Sequence, residues 1–206
     1  MEMMAATRDH TDTTGHRIAT PPVRLLAISG SLRVASSNTA LLRAAAQLAP
    51  VGVGINLYER LAGLPHFNPD LDDLDRQTAP PEVLDFRFRL DASDGVIISS
   101  PEYAHGVPGA MKNAIDWVVS SGELYEKPVA LLNASMSATH AYESLLEILT
   151  TADANVVREA SVRVGLPTNR IGEAGLVSDP ELSWRLRDAL SAFARAIVDR
   201  GAKARE

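Results

Sequence analysis

Two short apolar runs, Val23-Arg24-Leu25-Leu26-Ala27-Ile28-Ser29 and Asp94-Gly95-Val96-Ile97-Ile98-Ser99-Ser100, stop abruptly at Gly30 and Pro101. Each leads through a loop into a helical stretch. Apolar runs of this length without strict alternation belong to strands buried on both faces, and such strands occur in parallel sheets covered by helices. The chain therefore has few folds to choose from.

The remaining segments keep the pattern. Asn38 to Leu48 places Leu41, Leu42, Ala45 and Leu48 at helical spacing, Val51 to Tyr58 reads as a second strand, and Pro81 to Leu90 reads as a helix. Pro108 to Val119 puts Ala110, Met111, Ala114, Ile115 and Val118 on one helical face, with Gly122 just beyond its end. Pro128 to Ala134 reads as a fourth strand, Thr139 to Asp153 as a helix, Ser161 to Val164 as a short fifth strand, and Pro180 to Arg200 as a C-terminal helix. This alternation predicts an α/β three-layer sandwich, a five-stranded parallel sheet in the flavodoxin-like order 2-1-3-4-5. Its switch point lies between the first and third strands, where ligands gather outside the carboxyl ends.

At 206 residues and 46% hydrophobic content, one domain is expected over 23–206, preceded by a flexible tail over 1–22 that ends in the stiff Thr20-Pro21-Pro22. Arg60 to Pro81 is too long for a plain connection and points to function or assembly. Within it, the acidic run Asp70, Asp72, Asp73 and Asp75 lacks the glycine and final glutamate of a calcium loop and reads as a solvated face. The net charge of −6 provides no basic field for nucleic acid or an anionic membrane. No apolar run approaches a membrane span and the tail is no secretory signal, so a cytoplasmic protein is expected. With no cysteine, disulfides and thiolate catalysis are excluded, and any redox chemistry needs a cofactor.

The loop Gly30-Ser31-Leu32-Arg33-Val34-Ala35-Ser36-Ser37-Asn38 follows the first strand and opens a helix. Gly30 admits positive φ and a close approach of backbone to a ligand. Hydroxyls of Ser31, Ser36 and Ser37, the Arg33 guanidinium and the amides of a helix N-terminus are suited to a phosphate. The same residues also serve as ordinary helix caps and a solvated charge. Lacking both Gly-x-Gly-x-x-Gly and a Gly-Lys-Ser/Thr ending, the loop fits a monophosphate better than a dinucleotide or triphosphate.

In the second loop, Pro101-Glu102-Tyr103-Ala104-His105-Gly106-Val107-Pro108-Gly109, Tyr103 offers an aromatic face and the backbone offers amides to a ring edge. Flavins require this combination. A surface tyrosine, a helix-proximal or interface Glu102 and a solvent-exposed His105 are the plainer alternatives. On the following helix, Asn113 is placed to fasten a loop through backbone hydrogen bonds, Trp117 is placed to pack in the core, and Lys112 and Asp116 form an i,i+4 pair.

Together, Gly30-Ser31-Leu32-Arg33 through Ser36 and Asn38, Pro101-Glu102-Tyr103, and Val107-Pro108-Gly109 through Lys112-Asn113-Ala114-Ile115-Asp116-Trp117 resemble the NAD(P)H-dependent FMN reductases, which include quinone, chromate and azo-compound reductases. The resemblance covers about Val23 to Val164, including Leu64-Pro65-His66-Phe67-Asn68-Pro69-Asp70. It implies that Ser31, Arg33, Ser36, Ser37 and Asn38 hold or shape an FMN phosphate site, that Pro101, Glu102, Tyr103 and Ala104 border the ring system, and that Ser135 adds a contact from the fourth strand's loop. It further implies NADPH or NADH as donor, a quinone, free flavin or similar small acceptor, and a homodimer or homotetramer. No side chain need act as nucleophile or base, because the flavin supplies the chemistry. A flavin-binding electron carrier or redox sensor without nicotinamide turnover is the alternative, and a relative binding another phosphorylated molecule is a third. The sequence departs from the family pattern in three places. Ala35 stands where glycine is frequent, Ala104 where asparagine is frequent, and in Ala134-Ser135-Met136-Ser137-Ala138-Thr139-His140-Ala141, where relatives carry a glycine-rich segment that closes over the flavin, Thr139-His140-Ala141 lacks those glycines.

Overall fold

The computed structural model describes residues 23–73, 78–166 and 172–203. The tail expected over 1–22 lies outside them, as does Asp75. Six strands, β1 (Val23–Ser29), β2 (Val53–Tyr58), β3 (Gly95–Ser99), β4 (Pro128–Asn133), β5 (Asn155–Val156) and β6 (Val162–Arg163), form a parallel sheet in the order β2-β1-β3-β4-β5, with β6 also paired to β4. The helices are α1 (Ser37–Gln47), α2 (Pro81–Asp91), α3 (Gly109–Val119), α4 (Thr139–Thr151), α5 (Glu173–Ser178) and α6 (Pro180–Lys203). The expected order 2-1-3-4-5 is observed, so the first and third strands lie side by side at the switch point.

The sheet separates two apolar layers, as continuous hydrophobic strands require. Leu26, Ile28, Val96 and Ile98 pack toward α2, α3 and α4, whereas Leu25, Ala27, Ile97 and Ala130 pack toward α1, α5 and α6. Every residue of β3 and β4 is buried. Both central strands are thereby fixed, and with them the loops at their carboxyl ends.

Two sequence expectations are corrected at the edges. The fifth strand, expected at Ser161–Val164, is a pair of two-residue strands, β5 and β6, parted by a 3-10 turn at Arg158–Ala160. The Ser161 hydroxyl spans the break by donating to the Val157 carbonyl (2.9 Å) and accepting from the Leu131 amide (3.1 Å). The second strand begins at Val53 rather than Val51, because Gly52 turns the chain at φ 86° and leaves Val51 fully exposed.

The long connection is fastened to the body of the fold. Asn113 accepts from the Phe67 amide (2.8 Å) and donates to the Pro65 carbonyl (2.9 Å), which also receives the Trp117 indole N–H (2.8 Å). Trp117 is buried and meets Phe67 edge to face at 5.0 Å. Asp72 is no part of a solvated acidic face. Its side chain is 3% exposed and forms a two-pronged pair with Arg87 at 2.9 and 2.8 Å. Arg87 in turn donates to the Trp117 carbonyl, so loop, α2 and α3 converge on one guanidinium.

Opposite the carboxyl ends, Lys127 donates to the carbonyls of Leu90 and Ser93, both at 2.9 Å, closing the end of α2. Burial pushes its amine below the ordinary lysine range. Among the described residues, no helix is long and apolar enough to cross a membrane, and no group of three or more His, Asp or Glu is placed to hold a metal.

Candidate active site

Three of the central strands end in a polar residue after an apolar run: Ser29, Ser99 and Asn133. Ser29 and Asn133 organise the loops that follow them, and Ser99 reaches across to the helix that follows the first loop. Ser29 Oγ lies 2.8 Å from Thr39 Oγ1 and accepts from the Ser31 amide, tying β1 to α1. The Ser99 hydroxyl donates to Asn38 Oδ1 at 3.0 Å, tying β3 to the same helix. Asn133 accepts from the Ser135 amide at 2.9 Å and donates to the Ala138 carbonyl at 3.0 Å, shaping the loop into α4.

Between these loops lies a cavity of about 340 Å³. Ser31, Arg33, Ser36, Ser37 and Asn38 line it from the first loop, Pro101, Glu102 and Tyr103 from the second, and Ser135 from the third. The sequence reading named all nine. Its tenth residue, Ala104, is outside the lining, at the tip of a tight turn closed by mutual Tyr103 and Gly106 backbone hydrogen bonds at 3.1 and 3.0 Å. Asn133 also lines the cavity and was missed, while Ala35, Ala134, Ser137 and Ala138, which line it too, lie in segments noted for their departure from the family pattern but were not assigned a contact. The polar end of the fourth apolar run was the available signal for Asn133.

At the end lined by the first loop, Ser36 caps α1 by accepting from the Thr39 amide at 3.3 Å. The Ser31 hydroxyl accepts from the Arg33 amide at 3.4 Å, folding the loop back on itself. The Arg33 guanidinium is exposed and has no carboxylate partner among the described residues. Gly30 is needed for a reason other than the expected positive φ. A Cβ there would strike the Ser100 hydroxyl, so the glycine permits β1 and β3 to run side by side into the site.

The second loop is joined to the third. The Glu102 carboxylate accepts from the Ala141 amide in the first turn of α4 at 2.9 Å, which is the helix-proximal alternative. The rings of His105 and His140 stack at 4.5 Å and 21°. Ala104 and His105 carry φ of 48° and 56°, a left-handed turn that asparagine or glycine adopts more readily. Tyr103 remains 54% exposed beside the cavity, its ring accessible for contact.

A model of the NADPH-dependent FMN reductase family matches residues 23–167. The chain belongs to this family. It is 32% identical over 176 residues to an NAD(P)H-dependent FMN reductase of Pseudomonas aeruginosa, spanning 83% of this chain and 93% of that protein. It is 30% identical over 181 residues to a quinone reductase of Escherichia coli, spanning 85% and 95%. The solved structure of FerB, a flavoenzyme NAD(P)H:(acceptor) oxidoreductase from Paracoccus denitrificans, superposes with a TM-score of 0.69 at 28% identity, covering 86% of this chain and 98% of that one. The matched family segment contains all three loops around the cavity.

Proposed function

We propose that the cavity holds FMN and that this chain is an NAD(P)H-dependent reductase passing two electrons to quinones, free flavin or similar small acceptors. The observation that carries the reading is the Arg33 guanidinium, without a carboxylate partner among the described residues, beside three serine hydroxyls and the N-terminus of α1 at the switch point. A carboxylate in that position would repel a phosphate, and Glu102, the acid that lines the cavity, is engaged by Ala141. The donor set thus fits an anionic end, and the exposed Tyr103 with the Pro101 backbone fits a ring.

Bound FMN supplies the hydride-accepting and electron-passing chemistry. Arg33 and Ser31, Ser36 and Ser37 bind the phosphate, each charge-assisted contact contributing about 1.5–3 kcal/mol. Asn38, held by Ser99, fixes the helix whose amides face the same group. Pro101 and Tyr103 border the ring, and Glu102 holds that border against α4. Ser135 and Ser137, bonded to each other, close the third side. Cytoplasmic location and a homodimeric or homotetrameric assembly complete the proposal. Assembly is supported by Leu84 and Phe88, exposed four residues apart on α2.

The visible spectrum of freshly purified protein tests the coenzyme, and rapid mixing of the FMN form with NADPH and NADH tests turnover. Fast bleaching followed by reoxidation with a quinone is expected. An FMN form that does not bleach identifies an electron carrier instead, and a chain that takes up no FMN removes the proposal.

A further inference from the structure

Beyond the loop that carries Ser135 and Ser137 lies a second open groove of about 390 Å³, lined by Met136, Tyr142, Arg163, Trp184, Arg185 and Asp188 among others. Ser135 and Ser137 face the first cavity, while Met136 between them lines the groove. One loop is therefore the common wall of both. A ligand with two recognisable ends can place one on each side of it.

The groove holds two guanidiniums and one carboxylate, Asp188, and among the described residues neither guanidinium is paired with an acid. Among the described residues, Arg24, Arg43, Arg60, Arg87, Arg89 and Arg200 sit within ion-pair distance of an Asp or Glu, whereas Arg33, Arg158, Arg187 and Arg195, like the two in the groove, do not. Arg163 and Arg185 have no such partner among the described residues, and Asp188, although in the groove, pairs with neither. Both are nevertheless held in place. Arg185 donates to the Arg163 carbonyl at 2.9 Å, and Arg163 donates to the Met136 carbonyl and lies over the Tyr142 ring at 5.7 Å. The Nε of Arg163 is buried without an acceptor among the described residues. Two anchored like charges with N–H groups to spare attract a doubly charged phosphate more than a singly charged one.

Beside them, Trp184 is 65% exposed near the start of α6, whereas the other tryptophan, Trp117, is wholly buried. An exposed indole next to guanidiniums offers a stacking face for an aromatic anion. Resting on the proposed function, we infer that this groove takes the adenosine end of NADPH, its 2′-phosphate against Arg163 and Arg185 and its adenine against Trp184. The nicotinamide end lies across the Ser135–Ser137 loop at the first cavity. The groove thereby favours NADPH over NADH.

The test is calorimetric titration of the full chain, in excess FMN, with adenosine 2′,5′-bisphosphate and with AMP, which lacks the 2′-phosphate. The bisphosphate binds about tenfold or more tighter than AMP, and Arg185→Ala abolishes the preference. Trp184→Ala, at an exposed position, weakens both nucleotides about tenfold and provides the second variant. Equal binding of the two nucleotides, or a preference that survives Arg185→Ala in a folded variant, overturns the inference. FMN uptake is titrated separately in the same preparations. Normal uptake without nucleotide discrimination removes the groove and leaves the proposed function, whereas discrimination without FMN uptake removes the function and leaves the groove's phosphate selectivity standing.

Discussion

Glu102, in the loop after β3, accepts the amide hydrogen of Ala141 in the first turn of α4 at 2.9 Å. The carboxylate thus caps a helix that begins on a different strand's loop, and two walls of the cavity are joined by one side chain. Replacing Glu102 with Ala leaves that amide without its partner and removes a negative charge from the helix N-terminus. The expected loss is about 1 kcal/mol in urea unfolding, with faster hydrogen exchange at Ala141. Unchanged exchange there would show that the contact carries no stability.

Arg33→Ala removes the cavity's guanidinium without disturbing an ion pair among the described residues. FMN affinity is expected to fall by a factor of about 10 to 100, corresponding to one charge-assisted contact, with thermal stability of the FMN-free chain little changed. Fluorescence titration with FMN and with riboflavin checks this directly. Riboflavin lacks the phosphate, so its binding should not respond to the substitution.

The Asp72 carboxyl is held below the ordinary carboxylate range, chiefly by the Arg87 hydrogen bonds and also by the Arg87 charge, against the opposing effect of burial. Because its folded value is depressed, the linked stability is present above the unfolded value near 3.8 and drains away as pH falls through the lower folded value. Asp72→Asn should cost about 3 kcal/mol at neutral pH, since Glu123 at 3.7 Å still faces Arg87, and should flatten the acid limb of the stability curve. Urea midpoints measured from neutral pH down to pH 3 provide the comparison.

At the turn tip, Ala104 occupies φ 48°. Ala104→Asn or Ala104→Gly relieves a left-handed alanine and should raise stability by about 0.5 kcal/mol, the glycine change being partly offset by a freer unfolded chain. Differential scanning calorimetry reads the change as a rise in Tm.

The cavity-lining residues legible from sequence are those whose chemistry is local. Ser31 to Asn38 form one short segment at the end of an unmistakable strand, and their convergence with Pro101 to Tyr103 follows from strand order alone. What escaped is what depends on distant partners. His105 looked like a lone loop histidine because His140, with which it stacks, is contributed by another helix. Asp72 looked solvated because Arg87, its partner, lies on α2, 15 residues further along the chain. The edge strand was misplaced because two residues at a time, as in Asn155–Val156 and Val162–Arg163, are too few for any period to show.

That broken edge also governs how the molecule meets others of its kind. A strand-by-strand docking partner needs an unbroken row of backbone donors and acceptors, and the bend at Arg158–Ala160 interrupts the row after each pair of residues. The β5/β6 border is consequently a poor template for fibrillar growth, and self-association on that side must proceed through side chains.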